Sequence, residues 1–480
     1  IRDRYVAVVQ SAASLAERTF KTRFLGLQGD PTAPQVGLPM ERPAVPLQDP
    51  RLGLDRIRTA DRWEESLRER ERGLIEGGLF VQARESAGPS RAASVPEVGE
   101  AREFDVLNRS GGFDRITATA RWVGPQVAIF LDQAAPAPGL GDADLAELGA
   151  TFEDPIFSVV SGSFGMPSDI DGNERVVVLL TPRVNALSRS GEEGIVGGFF
   201  YAGDLLPGEE GSNGGEVFYS LVPDPEGTVG PAIPVEGVKS WVPAVLAHEL
   251  QHMIHFNRRV FEAGALTGET LWLSEGLAHL AEQLVSDTLA ARGEAQEAAR
   301  FLQANLLRGQ EYMDSVGSAS ALQDAGAGSL AERGGAWLFT RFVEEHFRTA
   351  SILERLTATV LSGEANMEAA TGLPFGDLFS GWSAAVYTDG QGLLDPFLEY
   401  PYTDIRGLFS PVPGGYTLAP DALGEAEWER LGSIPGGGSA YFLFAVPAGN
   451  LQGTALGVGR LDGGPTAALG QVRVRIMRTS

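Results

Sequence analysis

Three of the five histidines in this 480-residue chain fall within eight positions, in His248-Glu249-Leu250-Gln251-His252-Met253-Ile254-His255. This spacing constrains the fold strongly. Residues four apart on an α-helix differ by about 40° in azimuth and one turn in rise. His248 and His252 therefore stand side by side on one face if residues 241–257 are helical. Two imidazoles so placed can grip one zinc ion. Glu249 would flank that ion without ligating it, where a carboxylate can take a proton from bound water. A chain with five histidines and 63 acidic residues in 480 gives H-E-x-x-H by chance on the order of 0.005 times. The competing reading, an amphipathic helix with satisfied core histidines, is correspondingly weak. Pro243 fits the first turn of the expected helix, where proline is tolerated.

A catalytic zinc needs three protein ligands and one open position. Glu275, in Trp272-Leu273-Ser274-Glu275-Gly276, is the candidate third ligand. It enters from the start of a second helix, as in the gluzincin arrangement. Taken alone, it would read as a solvated glutamate in a helix first turn. His279 lies one turn beyond Glu275 on the same face, where it can orient a ligand or face a cleft. Glu282 lies a further turn on, and a salt-bridge role is equally open to it. His255 shares the face of His248 but sits about 10 Å along the axis, too far for joint ligation. It is a candidate for contact with substrate or with a ligand's far side. His346 falls in a late amphipathic helix and reads as surface. Tyr312, Tyr219, His279 and Arg333 are candidate electrophiles for a developing oxyanion.

Composition narrows the function classes. The balance of 38 basic against 63 acidic residues gives −25, which argues against nucleic acid and anionic membranes as partners. No run of about 18 apolar residues exists, so no membrane-spanning helix is expected. Cysteine is absent, which excludes disulfides, thiolate metal sites and cysteine nucleophiles. The start at Ile1 reads as a processed one, which makes export the expectation.

Along the chain, residues 1–101 read as an N-terminal arm or pro-region remnant. They hold a helical pattern over Ser14–Phe24, six prolines in 31–50, a charged amphipathic helix over 61–75, and a Ser/Pro/Ala-rich stretch at 86–100. Residues 102–395 read as one catalytic domain. Its first part carries expected strands at 116–123, 126–131, 175–181, 194–201 and 216–222 and a helix at 143–157. Its second part carries expected helices at 241–257, 270–287, 289–306, 329–348, 350–360 and 375–387. Residues 400–480 read as a small β-rich domain. Asp169-Ile170-Asp171-Gly172-Asn173 alternates carboxylates as calcium loops do, yet no glutamate stands at the closing position. An Asp-Gly-Asn turn is the expectation there, with Ca2+ as the alternative.

The stretch HELQHMIHF followed by WLSEGLAHLAE resembles the hyicolysin family of bacterial secreted zinc metallopeptidases. The second segment is also similar to the W-L-N-E-G-x-A-x-x-x-E stretch of gluzincin aminopeptidases. Upstream, GMPSDIDGN (165–173) and VGGFF (196–200) are similar to hyicolysin-like segments, and the likeness covers roughly 105–350. It implies an α+β, zincin-like, two-lobed metallopeptidase with a β-rich upper lobe and a helical lower lobe. It implies His248, His252 and Glu275 as zinc ligands, Glu249 as base, and protein or peptide as substrate. His255 and Ser274 depart from the family, each standing where Asn is expected; neither removes a ligand. The expected activity is that of an endopeptidase. An aminopeptidase, a surface binding protein with a structural zinc, and a zymogen whose residues 1–100 cover the cleft are the alternatives.

Overall fold

The structure is a computed structural model that describes residues 2–13, 20–26, 61–81, 94–189, 194–324, 328–422, 428–447, 456–460 and 472–479. The expected α+β fold is observed: a β-rich part and a helical part meet at the histidine cluster.

The β-rich part is a sheet of six strands: β3 (Ala101–Leu107), β4 (Phe113–Val123), β5 (Val127–Asp132), β6 (Val176–Leu180), β7 (Gly198–Phe200) and β8 (Val217–Ser220). Their order is β3-β4-β5-β6-β8-β7, so short β7 is an edge. β5, β6 and β8 run parallel, and the remaining pairs are antiparallel. All five residues of β6 (VVVLL) are buried, as a strand covered on both faces requires. The helix expected over 143–157 is instead split. Helix α2 (Asp142–Thr151) gives way to a wide turn at Phe152–Phe157, followed by α3 (Ser158–Phe164). Pro155 is the reason. Asp154, just before it, is driven to extended backbone (φ −147°, ψ 122°).

Helix α1 (Asp61–Glu76) lies ahead of this sheet in the chain. The helical part holds α4 (Val235–Phe256), α5 (Leu271–Ala291), α6 (Ala295–Ser315), α7 (Leu330–Phe347), α8 (Ile352–Thr357), α9 (Gly363–Thr371) and α10 (Phe375–Thr388). No helix of the described residues is long and apolar enough to cross a membrane. Helix α4 starts directly after Pro234, two turns earlier than expected. Pro243 is thus an interior residue, not a first-turn one, and leaves one backbone carbonyl of the helix without its usual donor.

The first residues of the chain are not a free arm. β1 (Arg2–Ser11) pairs antiparallel with β11 (Ser439–Pro447) and β13 (Val472–Arg478), and β9 (Asp421–Ala422) completes that sheet. β2 (Phe20–Gly26) lies between β10 (Trp428–Ile434) and β12 (Leu456–Arg460). Residues 20–24 are therefore strand, not helix; the rest of the Ser14–Phe24 expectation lies outside the described residues. Period-2 alternation sends consecutive residues of Val6–Val9 to opposite faces, and both faces are buried. Val6 and Val8 join the main core, while Ala7 and Val9 pack with Ile434 and Phe442 on the other side. Gln10 is hydrogen-bonded to the Ser380 hydroxyl of α10 at 2.6 Å. β1 thus joins the C-terminal sheet to the helical part. Val8→Ala should cost about 2 kcal/mol of stability through the cavity it leaves. Denaturant unfolding tests this, and an unchanged midpoint would contradict the placement of β1.

Candidate metal centre

Helix α4 presents His248 and His252 on one face, and α5 lies across it. On α5, Glu275, His279 and Glu282 follow at i, i+4 and i+7, one continuous stripe. All five side chains are buried. The stripe can reach α4 because small residues let the supporting helices close in. A Cβ on Gly276 would lie 2.9 Å from the Ala336 carbonyl of α7, and one on Gly334 would lie 2.0 Å from the Arg308 carbonyl of α6. Arg333 and Arg308, neighbours of these contacts, are thereby carried to the two glutamates.

Three donor residues form a triangle, in which the Glu275 carboxylate faces both imidazoles. His248 Nε2 and His252 Nε2 are 3.1 Å apart. Glu275 reaches His252 Nε2 with Oε1 at 3.3 Å and His248 Nε2 with Oε2 at 3.6 Å. Ligands about 2.05 Å from one zinc at tetrahedral angles stand about 3.3 Å apart. Glu275 Oε1 is buried with no hydrogen-bond partner, as an oxygen reserved for a cation would be. No fourth His, Asp or Glu of the described residues joins this group within 4.8 Å. The residues therefore fit a metal with one position left open.

A second group, His248, His279 and Glu282, is built differently. Glu282 Oε1 lies 2.8 Å from both His248 Nδ1 and His279 Nδ1. That is hydrogen-bond distance, shorter than the ligand separation around one ion. Glu282 thus orients His248 from behind, leaving Nε2 for the metal. Arg333 Nη1 approaches Glu275 Oε2 at 3.2 Å, and Arg308 Nη1 lies 4.0 Å from Glu282 Oε2. The Ser274 hydroxyl is 3.3 Å from His252 Nδ1, so the expected departure from Asn still meets the imidazole. Glu249 Oε2 accepts the Phe200 N–H of edge strand β7 at 3.0 Å.

The electrostatics follow from burial and partners. Burial opposes the charge on His248, but Glu275 and Glu282 outweigh it and push the imidazole up to about 10. Burial and the Arg68 guanidinium pull His252 down to about 3. Burial resists ionisation of Glu275, yet Arg333 and the two histidines hold it well below the usual carboxylate range. Glu282, equally buried, is held at about 2 by His279, His248 and Arg308. Both carboxylates are thus ionised and His252 is neutral, while His248 must release its proton to bind a metal.

The remaining expectations separate. His279 is part of the cluster: burial lowers it to about 3, and its Nε2, 3.9 Å from Glu275 Oε2, has no hydrogen bond. His255 is buried and lines a pocket with His252, Ser274, Arg259 and Glu269. His346 is not a surface group; it is half-buried between Phe342 and Phe397 and meets the Glu399 carbonyl. Tyr219 is engaged elsewhere, donating to Asp204 Oδ2 at 2.6 Å, and Tyr312 is buried against Trp382. Arg333 is committed to Glu275. Sequence reasoning left Glu282 undecided, although its i+7 spacing from Glu275 signalled a shared face.

One feature of the site lies far away in sequence. Helix α1 lines the cleft. Trp63 packs edge-to-face on Phe199 at 5.7 Å, Glu71 Oε1 accepts the Ala202 N–H at 3.0 Å, and Arg70 Nε donates to the Tyr201 hydroxyl at 2.9 Å. Arg68 lines both the pocket beside His252 and the pocket beside His248 and Glu249.

No protein-family model matches this chain. Among curated proteins it is similar to the neutral metalloprotease ShpI of Staphylococcus hyicus, with 27% identity over 194 residues, 40% of this chain and 42% of that protein. The chain resembles the hyicolysin family. It spans about two-fifths of the length of the curated relative it matches. Two solved structures of an M1 zinc metallopeptidase from Deinococcus radiodurans, one a mutant, align at 16% and 14% identity. They cover 62% and 59% of this chain and 63% and 57% of those chains, with TM-scores of 0.31 and 0.27.

If Glu282 sets the orientation of His248, Glu282→Gln should weaken zinc binding by about 10–100-fold. Competition against a chromogenic chelator measures this. Unchanged affinity would contradict the role given to Glu282.

Proposed function

We propose that this chain is a secreted zinc endopeptidase, with residues 102–395 as its catalytic unit. The donor triangle of His248, His252 and Glu275, open on one side and flanked by Glu249, carries the reading. Zinc bound there would supply Lewis acidity and a water of lowered pKa. Glu249 would take the proton of the attacking water and pass it to the leaving amine. Its link to the Phe200 N–H fixes the carboxylate against β7. Arg333 and Glu282 would keep Glu275 and His248 in place while charge builds.

The choice of endopeptidase over aminopeptidase rests on two features. Edge strand β7 offers backbone groups beside the site, which suits an extended chain that continues in both directions. An aminopeptidase needs an unengaged carboxylate for the free amine. Glu269, which lines the pocket beside His252, is instead held by Arg259 at 3.6 Å, the Gly363 N–H and Asn366. Secretion follows the resemblance to a secreted family. A purely structural zinc is disfavoured because three ligands leave a corner open.

Glu249→Gln should retain zinc and lose about 10²–10⁴-fold in turnover. Peptides with blocked N-termini should be cut at least as well as free ones. A fully active variant refutes the base; activity restricted to free N-termini refutes the endopeptidase assignment.

The position of α1 favours a latent state of this enzyme. With Arg68 at the cleft and Trp63 on Phe199, α1 takes up part of the approach to β7. Cutting away the whole first hundred residues would also remove β1 and β2 from their sheets, so release has to free α1 alone. The double variant Trp63→Ala, Arg68→Ala should raise turnover of a blocked peptide several-fold. Turnover equal to that of the parent chain would contradict latency.

A further inference from the structure

The segment Asp169-Ile170-Asp171-Gly172-Asn173 lies between α3 and β6. It lacks the closing glutamate of a linear calcium loop, but the fold delivers one from a different segment. Glu216, immediately before β8, brings a carboxylate oxygen within 4.8 Å of those of Asp169 and Asp171. Glu216 is only 2% exposed. Its Oε1 accepts the Ile170 N–H at 3.0 Å, whereas its Oε2 is buried without a hydrogen-bond partner. Burial pushes the Glu216 carboxyl up to about 7, against the Ile170 N–H and the Ser168 hydroxyl, which favour its anion. Asn173, the third ligand a linear reading would choose, is used by the turn. Its Oδ1 accepts the Arg175 N–H at 2.7 Å, and its Nδ2 donates to Asp171 Oδ2 at 2.6 Å.

A carboxylate oxygen buried without a partner is costly, and two neighbouring carboxylates add repulsion. Arg102 offsets part of this at Asp171. A cation that takes oxygen ligands would resolve the rest. Every donor is a hard oxygen and no imidazole is present, which favours Ca2+ over zinc. The three residues grade from exposed Asp169 through half-buried Asp171 to buried Glu216, so solvent can complete a coordination number of about 6–8. Mg2+ demands a stricter octahedron than carboxylates from two separate segments readily supply.

We propose that Asp169, Asp171 and Glu216 form a calcium site that ties the 165–175 loop to the start of β8. Its effect would reach the metal centre's surroundings by two routes. The Asn257 amide, just past α4, donates to the Met166 carbonyl of this loop at 3.0 Å. β8 also carries edge strand β7. The calcium site shares no residue with the histidine cluster and stands independently of the peptidase reading.

Calorimetric titration of CaCl2 into the full-length, zinc-loaded protein tests the proposal, paired with melting curves in Ca2+ and in Mg2+. One Ca2+ per chain should bind, with a rise of about 2–5 °C in melting temperature at saturation. Glu216→Gln keeps the oxygen that accepts Ile170 and should abolish both effects with zinc content unchanged. Asp171→Asn, at a more exposed position, should do the same and serves if Glu216→Gln does not fold. No calcium uptake by the parent chain, uptake retained in both variants, or an equal response to Mg2+ would overturn the proposal.

Discussion

Glu282 sits at the centre of the site, its Oε1 shared between His248 and His279 at 2.8 Å each. A carboxylate buried this deeply survives as an anion only if donors surround it. Two imidazoles and a nearby guanidinium meet that need, and His248 is fixed with Nε2 facing the triangle. Glu275 is held on the same principle by Arg333. Two buried carboxylates against two buried arginines leave a nearly balanced set, to which a divalent ion can be added without isolating any charge.

That balance depends on backbone packing outside the motif. The arginines come from α6 and α7, and only glycine at 276 and 334 allows those helices to lie close enough. The helical part is in turn joined to the C-terminal sheet by β1. The chain therefore holds its site with residues from both ends. α1 adds a second consequence of the same topology: a helix far upstream of the site rests against β7 while β1 and β2 before it are locked into two sheets with strands from the end of the chain.

The sequence revealed the parts governed by short-range periodicity. α4 and α5 were readable because 3.6-residue spacing and the His/Glu pattern agree, and Glu275 followed from its place near the start of the second helix. Five strands of the six-stranded sheet are legible as apolar runs; β3 (AREFDVL) is not, because charged residues interrupt its apolar ones. β1 and β2 were not, because their partners lie more than 400 residues away and no local pattern encodes a pairing of that range. Pro243 reads as an N-terminal signal, which places the helix start near 241; the helix begins at Val235 because tertiary packing tolerates this proline inside α4. Glu282 was visible by spacing but ambiguous, since a stripe of charged residues does not say which helix it faces. Glu216 illustrates the same limit: sequence shows a loop without its closing ligand, and only the fold shows where one comes from.

X-ray absorption at the zinc edge on the metal-loaded protein tests the central claim most directly. Two imidazole nitrogens, one carboxylate oxygen and one exchangeable light atom at about 2.0–2.2 Å are expected. Loss of one of the two imidazoles in His252→Ala, with His279→Ala leaving the coordination unchanged, would place the ion in the triangle. A coordination sphere closed by a fourth side chain, or one that changes with His279 and not with Glu275, would contradict it.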